Sequence, residues 1–234
     1  MTESLPVVLI PGLLCTPRLY GEQLPALWRF GPVTVADHTR DESVEAAAQR
    51  ILADAPRRFA LVGLSMGGYI AFAIMRSSPD RVDRLALLDT TARADAPEQS
   101  DRRRAQIALA RSGRFAEVVD QLFPVWVHRS HRGDEALRRT VAGMAEDTGP
   151  EAFVRQLTTI MTRPDSRPGL AAIRCPTLVL VGDGDEATPP DRAAEIASGI
   201  RAARLVTIPE SGHLSPLEQP RQVTRALTEW LEIG

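Results

Sequence analysis

The sequence predicts an α/β fold: a mostly parallel sheet flanked by helices on both faces, carrying a helical insertion. Three observations predict it. Short runs of Leu and β-branched residues recur, each closed by a turn signal. Several are followed by a stretch with a helical pattern, and such strand–helix alternation favours parallel strands joined by crossover helices. The alternation then stops for a long middle interval without a convincing strand.

The elements follow in order. Val7 to Ile10 is the first strand, stopped by Pro11-Gly12. Val33 to Ala36 is the second, and Ser43 to Asp54 the first helix, with Ser43 as N-cap because its hydroxyl can accept a free first-turn N–H. Ala60 to Gly63 and Leu85 to Leu88 are the next strands, separated by a helix over Met66 to Ser77. Leu178 to Val181 and Leu205 to Ile208 are the last two, with helices over Asp191 to Ile200 and Arg221 to Ile233. These runs are nearly all apolar instead of alternating, as expected of strands covered on both faces. The interval from Thr91 to Arg174 holds polar helical segments near Asp101–Arg111, Phe115–Phe123, Asp134–Glu146 and Glu151–Met161, with Asp165 to Gly169 as exit hinge. The expected division is a core of residues 1–90 and 175–234 with a helical cap of residues 91–174.

At 234 residues the chain suits one domain, or one domain carrying an insertion, long enough to bury its own core without staples. A net charge of −2 gives no basis for a nucleic-acid surface or a polybasic membrane patch. All the basic residues are Arg. Cys15 and Cys175 belong to no metal-spaced cluster and read as reduced thiols. The apolar run Val7 to Leu14 is broken by Pro11 and Gly12, a poor signal peptide and too short for a membrane span. The expectation is a cytoplasmic protein, monomer or homodimer, with no metal and no cofactor.

The sharpest chemical signal is Gly63-Leu64-Ser65-Met66-Gly67-Gly68, between a strand and an apolar helix. A tight strand-to-helix turn strains its central residue, and the flanking glycines remove side chains that would clash there, leaving the Ser65 hydroxyl exposed. A serine hydroxyl needs a base within hydrogen-bond reach. His213, in Ser211-Gly212-His213-Leu214, follows the last strand, where open α/β sheets place ligands. His38 also follows a strand and is the rival; His128 and His131 lie in the insertion and read as solvated. The base needs an acceptor to fix its tautomer. Asp185, after the strand Leu178 to Val181, is the choice, with Asp183 beside it and Asp89 after Leu88 as alternatives. For the oxyanion, Gly12 permits close backbone approach, so the N–H of Leu13 pairs with that of Met66.

These stretches give the whole chain a resemblance to the α/β-hydrolase superfamily, in particular its compact esterases, thioesterases and enol-lactonase-like members. The matching segments are Val7–Leu14, Leu61–Tyr69, Cys175–Pro190 and Glu210–Pro220. The resemblance implies Ser65 as nucleophile, Asp185 as acid, His213 as base, and a helical cap over the site. One departure is that Pro11 stands where many relatives have a His in the oxyanion loop. Another is that few residues precede the first strand, so the one or two antiparallel edge strands of longer members are not expected.

The expected activity is hydrolysis of a small ester, thioester or lactone through an acyl-enzyme. Same-triad perhydrolase, carbon–carbon hydrolase or lyase chemistry is the alternative, and a non-catalytic ligand-binding protein of this fold a further one. An Arg-bearing insertion would suit an anionic acyl substrate, yet solvated helix faces explain Arg102-Arg103-Arg104 and are the preferred reading. Phe123 and Trp126 are candidate acyl-pocket residues, or packing between cap and body.

Overall fold

The computed structural model describes residues 4–232. The chain runs β1 (Val7–Ile10), α1 (Leu24–Leu27), β2 (Val33–Val35), α2 (Val44–Asp54), β3 (Phe59–Leu64), α3 (Met66–Ser77) and β4 (Val82–Leu88). The insertion contributes α4 (Pro97–Arg111), α5 (Phe115–Trp126) and α6 (Glu135–Thr162). The core resumes with β5 (Thr177–Gly182), α7 (Pro190–Gly199), β6 (Ala203–Ile208), α8 (Ser215–Glu218) and α9 (Pro220–Glu232). Ile233, expected in the last helix, lies outside the described residues.

Among the described residues six strands form one sheet in the order β2-β1-β3-β4-β5-β6, and every pairing is parallel. The order reverses at β1, which has β2 on one side and β3 on the other, with Val7 opposite both Val33 and Ala60. Such a switch point opens a crevice beyond the carboxyl ends of the strands, and the loops after β1 and β3 border it.

Burial explains the apolar runs and corrects one expectation. All residues of β1, β3 and β5 are buried, as strands covered on both faces require. The edge strand β6 is not: Arg204, Leu205 and Thr207 are exposed, because β6 has one neighbouring strand. In α3, Met66 to Met75 are all buried, since this helix packs on the sheet with one side and on α2 with another. Ser43 caps α2 by accepting the N–H of Ala46 at 3.2 Å.

The insertion is helical throughout its main segments. The two segments expected around Asp134–Glu146 and Glu151–Met161 are one run broken at Gly149, whose φ of 77° takes it out of the helical region before Pro150 starts the second half. Helix α5 extends past Pro124 to Trp126, three residues beyond its expected end. Among the described residues no helix is long and apolar enough to cross a membrane.

Candidate active site

Ser65 joins β3 to α3 with φ 54° and ψ −114°, a conformation that costs a non-glycine residue about 1–3 kcal/mol. The turn is held from outside. The Ser65 N–H donates to the carbonyl of Leu88 at 2.9 Å, and its own carbonyl accepts from Thr90 Oγ1 at 2.8 Å. A Cβ on Gly63 would sit 2.4 Å from the carbonyl oxygen of Gly67, and one on Gly67 would sit 2.1 Å from that of Ile10. Both positions therefore demand glycine, for reasons of space that the sequence pattern already implied.

Three distant segments meet at this hydroxyl. His213 Nε2 lies 2.8 Å from Ser65 Oγ, and His213 Nδ1 lies 2.8 Å from Asp185 Oδ2. With Nδ1–H donating to the carboxylate, Nε2 carries the free lone pair toward the serine. Burial pulls the His213 imidazole down, but the charge and hydrogen bond of Asp185, with Glu218 further off, outweigh it and hold the group above its ordinary value. Asp185 is itself fixed: Oδ1 accepts the N–H groups of Ala187 and Thr188 at 2.8 and 2.9 Å, and Oδ2 accepts Thr188 Oγ1–H at 2.7 Å.

The alternative residues have other partners. Asp183 accepts the N–H of Ser211 at 3.3 Å, tying the two loops together. Asp89 is fully buried, accepts the N–H of Gly182 at 2.9 Å and bonds Ser215 Oγ. Burial and the charge of Asp185 hold the Asp89 carboxyl well above the usual range. His38 lies 2.8 Å from the carbonyl of Gly12, and burial pulls its imidazole below the ordinary value, so it meets the Gly12 loop as a neutral donor. Thus an imidazole reaches this loop from β2's side, although Pro11 occupies the position where many relatives have one.

A Cβ on Gly12 would come within 3.3 Å of Ser65 Cβ, so the loop after β1 passes directly against the elbow. Leu14, at φ 58°, donates its N–H to Gln156 Oε1 of α6 at 3.1 Å. Among the described residues nothing accepts the N–H of Leu13 or of Met66, which leaves both donors available. Cys15 also borders the site, but burial pushes its thiol up to about 12, far from a reactive thiolate.

The insertion is bonded into the site. The carbonyl of Trp126 accepts the N–H groups of His213 and Leu214 at 2.7 and 3.3 Å. The side chain of Glu218 is fully buried; Oε1 accepts Gly212 N–H at 2.9 Å and Leu214 N–H at 3.3 Å. Its Oε2 accepts His128 N–H at 2.7 Å and His131 Nδ1–H at 2.9 Å. Neither Glu218 nor Thr188 nor Gln156 was singled out in the sequence, where each looks like an ordinary helix or turn residue.

A cavity of about 470 Å³ opens at Ser65 and His213, with walls from Leu13, Tyr69 and helices α4, α5 and α6. Trp126 lines it, together with Leu122 and Val125. Phe123 does not; it is buried under the guanidinium of Arg138, 4.2 Å from the ring centroid. Successive turns of α5 explain the split, since residues 122, 125 and 126 share a face that 123 leaves. Among the described residues no cluster of three or more His, Cys, Asp or Glu side chains has metal-binding geometry.

A family model described as an alpha/beta hydrolase family matches residues 7–226. The pimeloyl-(acyl-carrier protein) methyl ester esterase of Neisseria meningitidis is 25% identical over 222 residues, covering 91% of this chain and 86% of the relative. An esterase from Thermogutta terrifontis is 32% identical with a TM-score of 0.87, covering 97% of this chain and 89% of that one. The enol-lactonase from Burkholderia xenovorans is 25% identical with a TM-score of 0.88, covering 98% and 92%.

Proposed function

Because the chain belongs to the alpha/beta hydrolase family, we propose that it is a serine hydrolase of small carboxylic esters, thioesters or lactones, working through an acyl-enzyme. The observation that carries this reading is the unbroken hydrogen-bonded chain from Asp185 through His213 to the hydroxyl of Ser65. Esterase and enol-lactonase activities named for relatives of similar length support the substrate class.

In this reading His213 Nε2 takes the proton as Ser65 Oγ bonds to the acyl carbon. The carbonyl π electrons move to oxygen, and the unbonded N–H groups of Leu13 and Met66 are the donors for that oxyanion. Collapse of the tetrahedral species breaks the bond to the leaving oxygen or sulfur, which departs with the proton from His213. Water then attacks the acyl-enzyme, giving its proton to the same imidazole, and the acid leaves as Ser65 recovers its proton. Asp185 holds the imidazole in position and stabilises the imidazolium. Residues 91–174 act as the cap that supplies the specificity walls, Trp126 among them.

A fluorophosphonate probe followed by intact mass measurement tests the nucleophile. One adduct on folded protein, absent in Ser65→Ala, is expected, with loss of p-nitrophenyl acetate hydrolysis in the same variant. An unlabelled Ser65, or full esterase activity in Ser65→Ala, would remove the reading.

A further inference from the structure

The cavity has an apolar floor near Ser65 and an unexpectedly polar wall. Four residues of α4 line it: Gln99, Arg102, Arg103 and Gln106. Their spacing is i, i+3, i+4 and i+7, one stripe along a helix, the pattern that normally carries core hydrophobes. A pocket for a plain hydrocarbon chain would gain nothing from amides and guanidinium groups on that stripe. Arg102 and Arg104 are both exposed, as a solvated face requires, but Arg102 also borders the cavity while Arg104 is paired with Asp101 at 2.6 Å, and Arg103 is half-buried.

Charge in this wall is unbalanced. Among the described residues Arg102 has no carboxylate partner. Arg103 bonds Asp95 at 2.7 Å, but the same carboxylate is claimed by Arg163 at 2.5 Å. The side chains of Asp95 and Arg163 are only 1% and 4% exposed, so solvent does little to screen that pair. Arg163 also lies 4.2 Å from the ring centroid of Tyr69, another cavity residue. Two guanidinium groups thus share one carboxylate, and the exposed Arg102 beside them has none among the described residues. Among the described residues Glu186 is the only acidic one lining the cavity, and it is paired with Arg132 at 2.7 Å.

We propose that the substrate carries an oxyanion, a carboxylate or a phosphate, on the part reaching α4, and that Arg102 and Arg103 bind it with the amides of Gln99 and Gln106. The inference rests on the hydrolase reading and narrows its substrate class. A carboxylate would sit at the far end of the acyl chain, whereas a phosphate would belong to the leaving alcohol or thiol. In either case the stripe acts by holding the substrate, so the effect belongs to KM more than to kcat.

Two matched pairs of substrates separate the sources. Monomethyl adipate and methyl hexanoate differ by a terminal carboxylate; hexanoyl-coenzyme A and the hexanoyl thioester of N-acetylcysteamine differ by the phosphate-bearing leaving group. In one pair the anionic member should be preferred by roughly tenfold or more in kcat/KM, as a charge-assisted contact allows. Raising the salt concentration should erode that preference. Arg102→Gln should bring the ratio toward one and Arg102→Glu below it, while Arg104→Gln, one residue from the stripe, should leave it intact.

Ratios near one in both pairs for the wild type, or an unchanged ratio in Arg102→Glu, would overturn the inference. Ser65-dependent turnover of methyl hexanoate would meanwhile leave the hydrolase reading standing. Should neither pair be turned over, the fluorophosphonate and p-nitrophenyl acetate tests decide the hydrolase reading, and calorimetry on Ser65→Ala decides the anion site. Tighter binding of monomethyl adipate or coenzyme A than of methyl hexanoate would keep it, and equal or absent binding would end it.

Discussion

Glu218→Gln is the most informative single substitution outside the catalytic chain. The buried carboxylate takes four N–H groups, two on each oxygen. An amide has one accepting oxygen and one donating nitrogen in the same space. If the oxygen keeps Gly212 and Leu214, the NH2 faces His128 N–H and His131 Nδ1. His131 can adapt by moving its proton to Nε2 and accepting at Nδ1, but the backbone N–H of His128 cannot. One buried donor is then unsatisfied, a cost of about 1–3 kcal/mol. For a chain of this size that lowers Tm by about 3–10 °C. The variant also removes a negative charge that raises the imidazole of His213. As the proposed base, His213 acts when neutral, so kcat/KM rises with pH through that group; the acidic limb should therefore move to lower pH in Glu218→Gln. Thermal melting and a pH–rate profile on one ester read both effects. An unchanged Tm together with an unchanged limb would refute the assigned role of the carboxylate.

Two further substitutions test neighbouring parts of the same geometry. In Asp185→Asn the oxygen should stay with Ala187 and Thr188, turning the NH2 toward His213 Nδ1 and forcing the proton onto Nε2, opposite Ser65; kcat should fall on the order of a thousandfold or more. Its effect on stability has a defined sign. In the wild type the raised imidazole stabilises the fold below 6.5 and loses that contribution as pH rises through the folded value. With the carboxylate gone, burial dominates and pulls the group down, so acidification below 6.5 should destabilise the variant more than the wild type in melting curves across that range. Gly212→Ala places a Cβ 2.5 Å from His128 N and 2.6 Å from the carbonyl carbon of Val127, both backbone atoms that cannot swing aside. The loop bearing His213 must shift, and kcat should drop on the order of a hundredfold. Gly133→Ala, where a Cβ meets nothing within 4 Å, is the matched control and should behave as wild type in both rate and Tm.

Much of the sheet was legible because its signals are local. A buried parallel strand reads as an apolar run, and β1, β3 and β5 extend at most two residues beyond their expected bounds. The elbow was legible for the same reason, since Gly63, Ser65 and Gly67 must lie at fixed spacing for the turn to close. Edge status was not legible: Val206 and Ile208 give β6 the same apolar character as a central strand, and only the sheet order shows that no strand among the described residues pairs beyond it. The fate of the arginine triplet was not legible either. A helix face is polar in sequence whether it meets water or a polar cavity, so Arg102 and Arg104 look alike until the fold separates them.

Glu218 shows why the join between insertion and base escapes sequence reading. Its four donors come from residues 128 and 131 in the insertion and from residues 212 and 214 beside the base. The nearer pair is four to six positions away, the farther pair about ninety, and no motif spans the gap. Trp126 adds the reciprocal bond, its carbonyl receiving the N–H of His213 itself. The end of α5 therefore helps set where the imidazole sits, and a helix whose sequence suggests only a wall of the pocket is also part of the mount for the proposed base. Specificity and base position share this support, so substitutions that repack α5 to change the substrate should tend to change kcat as well, wherever they displace the carbonyl of Trp126.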